Sequence, residues 1–392
     1  MSLKKFIKNI TPVFFLNLYY FAWALAAAII FWFPSRKLIV IGVTGTSGKS
    51  TTVDFITKIL EEAGNKVASV SSIRFKLGQK EWKNELKMTM PGRLVIQKIL
   101  RQAVSEGCRY MVLEVTSEGI KQFRHKFIAF DTAVFLNLTP EHIESHGGFE
   151  NYRNEKLKLF KVTKNIHVIN ADDQNAKYFL GTEAKRIITF GLQQGDVNLN
   201  NTDFHLNILG HFNRYNALAA ISVALSQGLS LQVCQQALQK VTGIPGRMEI
   251  VAKEPLVVVD YAHTPEQLEQ AYQSLAPKPL VCVLGSCGGG RDKWKRPVLG
   301  QIAKKYCKEI IITNEDPYDE DPMEIINQVA EGAGPDAKKI LDRKEAIQKA
   351  LSMATSKETV IITGKGSEVL MCLAGGKKIP WSDKETVKEA LR

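Results

Sequence analysis

The 392-residue chain lacks any C-x-x-C pair: its six cysteines stand at 108, 234, 282, 287, 307 and 372. That spacing excludes a zinc ribbon, suggests no disulfide framework, and fits a reducing, cytosolic setting. There is no internal repeat and no low-complexity tract, which excludes a solenoid or a disordered tail as the organising principle. Acidic excess is also missing. With 52 basic against 40 acidic residues the chain carries +12, a balance that favours anionic partners such as nucleotides or a phospholipid surface; no nucleic-acid partner is expected. What is present is a folded-protein composition, 45% hydrophobic and 23% charged, long enough for two ordinary domains.

The chain is organised around Thr44-Gly45-Thr46-Ser47-Gly48-Lys49-Ser50-Thr51, entered from the apolar run Leu38 to Val43 and left through Thr52 to Ile56. This reads as strand, glycine-rich loop, helix. The glycines let backbone N–H groups turn toward an anion, the new helix adds its positive end, Lys49 supplies a point charge, and Ser50 offers a hydroxyl to Mg²⁺. The strict G-x4-G-K-[ST] spacing is broken by Val43, so the narrower T-G-T-x-G-K-S-T form carries the inference of a triphosphate cradle.

From Pro12 to Phe33 runs a stretch of 22 residues in which Asn17 alone is strongly polar. As a helix it would be about 33 Å long, roughly one bilayer core, with aromatics at both ends, and it reads as an uncleaved membrane span. Lys4, Lys5 and Lys8 before it compete with Arg36 and Lys37 after it, so orientation rests on the need for cytosolic ATP: the catalytic part is expected at the cytoplasmic face of the inner membrane. Beyond it, apolar runs at 67–70, 110–115, 132–136 and 166–169 alternate with helical segments, as a mostly parallel α/β sheet requires. A break at Gly243-Ile244-Pro245-Gly246 precedes a second, Rossmann-like alternation with strands at 256–259, 280–284, 310–313 and 360–363. The expected organisation is an anchor over 1–37, an ATP-binding domain over 38–244 and a C-terminal domain over 245–392.

Glu114 ends a strand, where open α/β sheets place their ligands, and its carboxylate suits the Mg²⁺ shell begun by Ser50. By itself His142, a lone loop histidine, reads as structural or solvated rather than as a metal ligand, and Lys156, on a helix, reads as a surface lysine. Their order changes that. The P-loop, Glu114-Val115-Thr116-Ser117, Asn137-Leu138 with Glu141-His142, and Tyr152 to Lys156 resemble the Mur ligase family, the MurE type most closely. The likeness continues through Gly210 to Asn216, Gly246-Arg247-Met248-Glu249, Asp260 to Pro265, Arg291 to Pro297 and Gly364-Lys365-Gly366-Ser367-Glu368, covering roughly residues 38–392.

The resemblance implies ATP-dependent amide bond formation through an acyl phosphate. It assigns Ser50 and Glu114 to one Mg²⁺ and His142 to a second, with Lys156 as the lysine the family carbamylates. Asn216, Arg247 and Asp260 fall on ATP-binding positions. Thr89, Thr116, Gln122 and Arg124 fall on contacts to a UDP-MurNAc-peptide; Arg291, Asp316 and Glu368 on the amino-acid pocket. Met90, Glu118, Gly290 and Ser367 depart from the family's Thr, His, Asp and His. The family's N-terminal uridine-binding domain is expected to be missing, the apolar run standing in its place, so that a lipid-linked muropeptide becomes a second candidate acceptor. A membrane-bound polyglutamate-type synthetase is the rival enzyme. An ATP-binding scaffold is the rival of another class, disfavoured because binding alone would not need Glu114, His142 and Lys156. Tyr318 stands where diaminopimelate-adding members carry an arginine, and with Glu315 and Asp316 making the neighbourhood acidic, lysine or another amine-bearing or neutral amino acid is expected as substrate.

Overall fold

The computed structural model describes residues 11–141 and 143–392; Lys4, Lys5 and Lys8 of the orientation argument lie outside these. Two compact units form, one from 1–139, 149–206 and 213–241, the other from 140–148, 207–212 and 242–392.

The first unit is an eight-stranded sheet ordered β4-β3-β2-β5-β1-β6-β7-β8. Its strands are β1 (Ile39–Thr44), β2 (Val67–Val70), β3 (Arg74–Leu77), β4 (Lys80–Lys83), β5 (Tyr110–Glu114), β6 (Phe130–Phe135), β7 (Ile166–Asn170) and β8 (Arg186–Phe190). β1 lies between β5 and β6, and both pairings are parallel. Its residues 40–44 are buried, so strands that read as unbroken apolar runs are buried on both faces. The hairpin β3–β4 is antiparallel and was not expected: β4 is exposed along its whole length, so no apolar run marks it.

The helices of this unit that matter below are α1 (Val13–Ile30), α2 (Lys49–Glu62), α3 (Arg93–Ser105), α4 (Ser117–Lys121), α5 (Phe149–Val162) and α6 (Asn213–Ser226). α1 has 18 residues, about 27 Å, rather than the expected 22. It stops because Trp32 and Phe33 turn left-handed ahead of Pro34. By length and apolarity α1 qualifies as a candidate membrane crossing, yet Ala24, Ala27 and Ala28 are buried and the helix packs against α3.

The second unit holds a six-stranded sheet ordered β13-β12-β11-β14-β10-β9, with β9 (Glu249–Lys253), β10 (Leu256–Val259), β11 (Leu280–Leu284), β12 (Cys307–Thr313), β13 (Lys338–Ile340) and β14 (Thr359–Ile362). It is parallel except for the antiparallel edge strand β9. A separate two-stranded ladder, β15 (Leu370–Cys372) with antiparallel β16 (Lys378–Pro380), belongs to the same unit. Arg343, which opens the helix Arg343–Met353, and Asp383 form a buried two-pronged pair, both bonds 2.8 Å, that ties the C-terminal helix to that helix, and Arg343 Nη2 also donates to Thr363 O at 2.8 Å just past β14.

One expectation is corrected here. Cys282 of β11 and Cys307 of β12 are joined as a disulfide. Their 25-residue separation in sequence hides the contact, because a helix carries the chain back to the neighbouring parallel strand.

Candidate active site

The loop after β1 is shaped by Asn137, which the sequence places inside a family motif without a role of its own. Its Oδ1 accepts from Thr46 N and Ser47 N at 3.1 and 2.9 Å, and its Nδ2 donates to Ser47 O at 3.3 Å. Thr46 Oγ1 meets the Tyr152 hydroxyl at 3.1 Å and donates to Thr139 O, so α5 also holds the loop. Gly48 caps α2 with φ +79°, and an added Cβ would stand 2.2 Å from Asn216 Oδ1. Only glycine fits a left-handed position this crowded.

Three charged groups surround the cradle. Lys49 Nζ folds back onto the carbonyls of Gly45 and Thr46 at 3.1 and 2.8 Å. Lys156 Nζ donates to the Gly45 carbonyl at 2.8 Å and stands 4.6 Å from the Tyr152 ring centroid. Lys156 is only 1% exposed, which removes the solvated-lysine reading. Ser50 Oγ donates to Glu114 Oε2 at 2.8 Å, and Ser72 joins them, its N–H on the same oxygen at 2.9 Å and its hydroxyl 2.7 Å from Ser50 Oγ. Ser72 was not singled out in the sequence, since only pairing beside β5 brings it there.

A hydroxyl and a carboxylate on one point suit Mg²⁺, which takes hard oxygen ligands and keeps part of its shell for water and phosphate. Among the described residues no group of three His, Cys, Asp or Glu could hold a metal alone. His142 lies outside the described residues.

On the far side of α4, Thr116 caps the helix by accepting from Gly119 N at 3.1 Å. Gln122 Nε2 donates to Glu118 Oε1 at 2.6 Å, and Arg124 Nη2 donates to Gln122 Oε1 at 2.8 Å. Arg124 also donates to Met90 O. Two of the departing residues, Met90 and Glu118, are thus wired to Gln122 and Arg124, while Thr89 is half-buried close by in sequence.

In the second unit, buried Asp260 accepts from Met248 N and Ala262 N, both at 2.7 Å. Burial raises its pKa, while the Arg247 charge and these N–H groups pull it down. Arg247 lies over the Tyr261 ring at 4.3 Å. His263 bridges Glu141 Oε1 at 2.9 Å and the Tyr261 carbonyl at 2.8 Å.

Lys365, fully buried, donates to Asp316 Oδ1 at 2.8 Å, Glu368 Oε2 at 2.7 Å and Leu370 O at 2.7 Å. Burial works against its charge, but Glu368 and Asp316 more than offset that and its pKa rises. Lys365 thus sets one ammonium against the two carboxylates of Asp316 and Glu368, which offsets part of the acidity expected of this neighbourhood. Glu315 is buried with Oε1 accepting from the Cys287 thiol at 2.8 Å. Arg291 holds its proton against burial through Cys287, Tyr261, Tyr318 and Glu141, and Tyr318 sits at φ +52°.

Residues 43–224 match the Mur ligase middle domain and residues 246–366 the Mur ligase glutamate ligase domain. The UDP-N-acetylmuramoyl-L-alanyl-D-glutamate–2,6-diaminopimelate ligase of Syntrophomonas wolfei is 38% identical, over 95% of this chain and 82% of that protein. The chain belongs to the Mur ligase family. A Roseiflexus UDP-N-acetylmuramyl-tripeptide synthetase is 35% identical over 93% of this Mur ligase and 81% of its own length. A solved diaminopimelate ligase of the same name as the first relative matches at 30% identity and TM-score 0.60, covering 90% of this chain and 78% of that one. The Mycobacterium tuberculosis folylpolyglutamate synthase complexed with ADP and AMPPCP, 16% identical, shares the fold at TM-score 0.73 over 88% of this chain and 92% of its own.

In this Mur ligase the first unit brings Thr44 to Thr51, Glu114, Lys156 and Asn216 around one loop, and the second brings Asp316 and Glu368 onto Lys365. Lys365 lay inside a recognised motif, but nothing in its sequence marks it as buried.

Proposed function

We propose that this protein is an ATP-dependent ligase that joins an amino acid to a muramyl-peptide acceptor at the cytoplasmic face of the membrane. The observation that carries the reading is the cradle itself: Lys49, the Ser50–Glu114 pair and buried Lys156 all converge on the loop at Gly45 to Ser50. Nucleotide binding alone requires neither the carboxylate nor the second buried lysine.

The acceptor carboxylate attacks the γ-phosphorus, ADP departs, and the amino group of the incoming amino acid captures the acyl phosphate with loss of inorganic phosphate. Lys49, released from the Gly45 and Thr46 carbonyls, offsets charge on the β/γ-oxygens. Backbone N–H groups of the loop and the start of α2 orient the phosphates. Mg²⁺, held by Ser50 and Glu114, would neutralise phosphate charge. In the same reading the Lys156 amine, after losing its proton, adds to CO2 and releases a second proton to become a carbamate, an anion that would help His142 hold a second Mg²⁺. Asn216, Arg247 and Asp260 contact nucleotide; Thr89, Thr116, Gln122 and Arg124 contact acceptor; Arg291, Asp316, Tyr318 and Glu368 line the amino-acid pocket. α1 attaches the enzyme to the membrane, and the acceptor is either UDP-linked or lipid-linked.

The test is product analysis. Purified full-length protein with ATP, Mg²⁺, a muramyl-peptide acceptor and a panel of amino acids should release ADP and yield the acceptor plus one residue by mass spectrometry. Lys49→Ala should fold and form no product. ADP release that needs no acceptor, or undiminished turnover by Lys49→Ala, would overturn the reading.

A further inference from the structure

α1 does not stand away from the body of its unit. Leu16, Tyr20, Ala24, Ala27, Ala28 and Phe31, spaced by three and four residues, are its buried or half-buried stripe, and α3 packs against it. Phe21 meets Phe127 at 5.2 Å and the Arg93 guanidinium lies 4.3 Å from the Tyr20 ring centroid. Past the helix, Ala129 N donates to Ser35 Oγ at 3.0 Å. The stripe is therefore pinned along most of the helix. Were α1 to cross a bilayer, Tyr20 would lie near the hydrocarbon centre and carry Arg93 with it. Lys98 and Arg101, exposed on α3, would be drawn toward the same layer. Charged groups at that depth are strongly disfavoured.

The free face is apolar and aromatic: Phe14, Leu18, Trp23, Ile29, Ile30 and Trp32 are exposed. A helix apolar all round with one stripe on protein needs an apolar phase for the rest. Arg36 and Lys37 follow at once, and the whole chain carries +12, so the complementary phase is a leaflet with anionic headgroups.

Beside Tyr20 stands a pair of arginines. Arg93 donates to Gln122 O while Arg124 donates to the Gln122 side chain, so one residue holds both. The Nε atoms of Arg93 and Arg124 are buried without a hydrogen-bond partner. Burial lowers both pKa values, and the Arg124 charge lowers that of Arg93 further. Glu118 is the carboxylate acting on Arg124 among the described residues, and it already accepts from Gln122 at 2.6 Å. Two guanidiniums against one carboxylate leave a net positive charge beside Tyr20, and guanidinium is the group best suited to phosphate oxygens.

We propose that α1 is a monotopic anchor laid along α3 with its free face in one leaflet, and that Arg93 and Arg124 beside Tyr20 bind the phosphate group of a lipid. The lipid is the acceptor's own if the function proposed above holds. Binding is read without ligation, so failure of either reading is seen separately.

The test uses the full chain carrying an N-terminal epitope tag, in sealed vesicles with the catalytic body outside. External protease should remove the tag without detergent; a protected tag means a span and overturns the anchor. In flotation, wild type should prefer phosphatidylcholine vesicles doped with phosphatidic acid over pure phosphatidylcholine. Arg93→Gln should bind the doped vesicles about five-fold more weakly, about 1 kcal/mol, and pure phosphatidylcholine unchanged. Equal behaviour of wild type and variant on doped vesicles overturns the phosphate site. So does loss of the wild-type preference to millimolar pyrophosphate but not to sulfate at matched ionic strength, which would assign the pair to a soluble diphosphate.

Discussion

Gly48→Ala separates the cradle from ordinary helix capping. At φ +79° a side chain costs about 1–2 kcal/mol. The new Cβ would also fall 2.2 Å from Asn216 Oδ1, so Asn216 has to leave Thr52, which donates to it at 3.3 Å, and Asn213, to which it donates at 3.0 Å. Each lost bond adds about 1 kcal/mol, for a total of roughly 3–4 kcal/mol. If the loop shifts to relieve this, ATP affinity should drop roughly 150- to 1,000-fold. Gly64→Ala is the control, because Gly64 has the same φ of +79° but nothing within 4 Å of the added Cβ. It should cost about 1–2 kcal/mol of stability and leave nucleotide affinity alone. The assay is titration with a fluorescent ATP analogue alongside denaturant unfolding of each variant. Binding by Gly48→Ala within three-fold of wild type, or an equal binding defect in Gly64→Ala, would refute the argument.

Three further outcomes follow from the site and its surroundings. Lys156→Ala should be nearly inactive and regain part of its turnover with an added short carboxylate; near-normal activity without one would remove Lys156 from the chemistry. His125 is 2% exposed, and burial with the charges of Lys126 and Lys158 pushes its pKa from 6.5 down to about 3. The folded state then excludes a proton that the unfolded chain takes up, so stability present above pH 6.5 is lost as pH falls toward 3: about 2 kcal/mol by pH 5. His125→Leu should flatten that acid-side slope in urea midpoints measured at pH 7 and pH 5, and an unchanged slope would exonerate His125. Tyr318→Arg should raise use of diaminopimelate relative to lysine in direct competition, since it supplies the guanidinium fork that a phenol lacks; an unaltered ratio would place Tyr318 away from the distal end of the substrate.

The parts of the site that were readable in the sequence are those made locally. The cradle from Thr44 to Thr51 is one strand, one turn and one helix start, and Glu114 declares itself by ending an apolar run. Ser72 was silent, and Asn137 and Lys365 were named only within motifs, because their roles depend on which strands and loops lie side by side. Lys156 reads as a surface lysine among Tyr152, Arg153, Asn154 and Glu155, and only its approach to the Gly45 carbonyl marks it as buried. Asp316 looked like an acid awaiting a cation because Lys365, 49 residues later, was not known to fill that place. α1 was legible as apolar, but the alanine stripe that seats it on α3 cannot be told from a membrane helix by composition.

The central claim is that an acceptor carboxylate is activated by phosphoryl transfer before the amine attacks. Acceptor labelled with ¹⁸O in its carboxylate, incubated with enzyme, ATP, Mg²⁺ and amino acid, tests it directly by mass analysis of the released phosphate. The account predicts one ¹⁸O in each phosphate formed, in step with amide product. Product formed with unlabelled phosphate, or phosphate released without product, would contradict it.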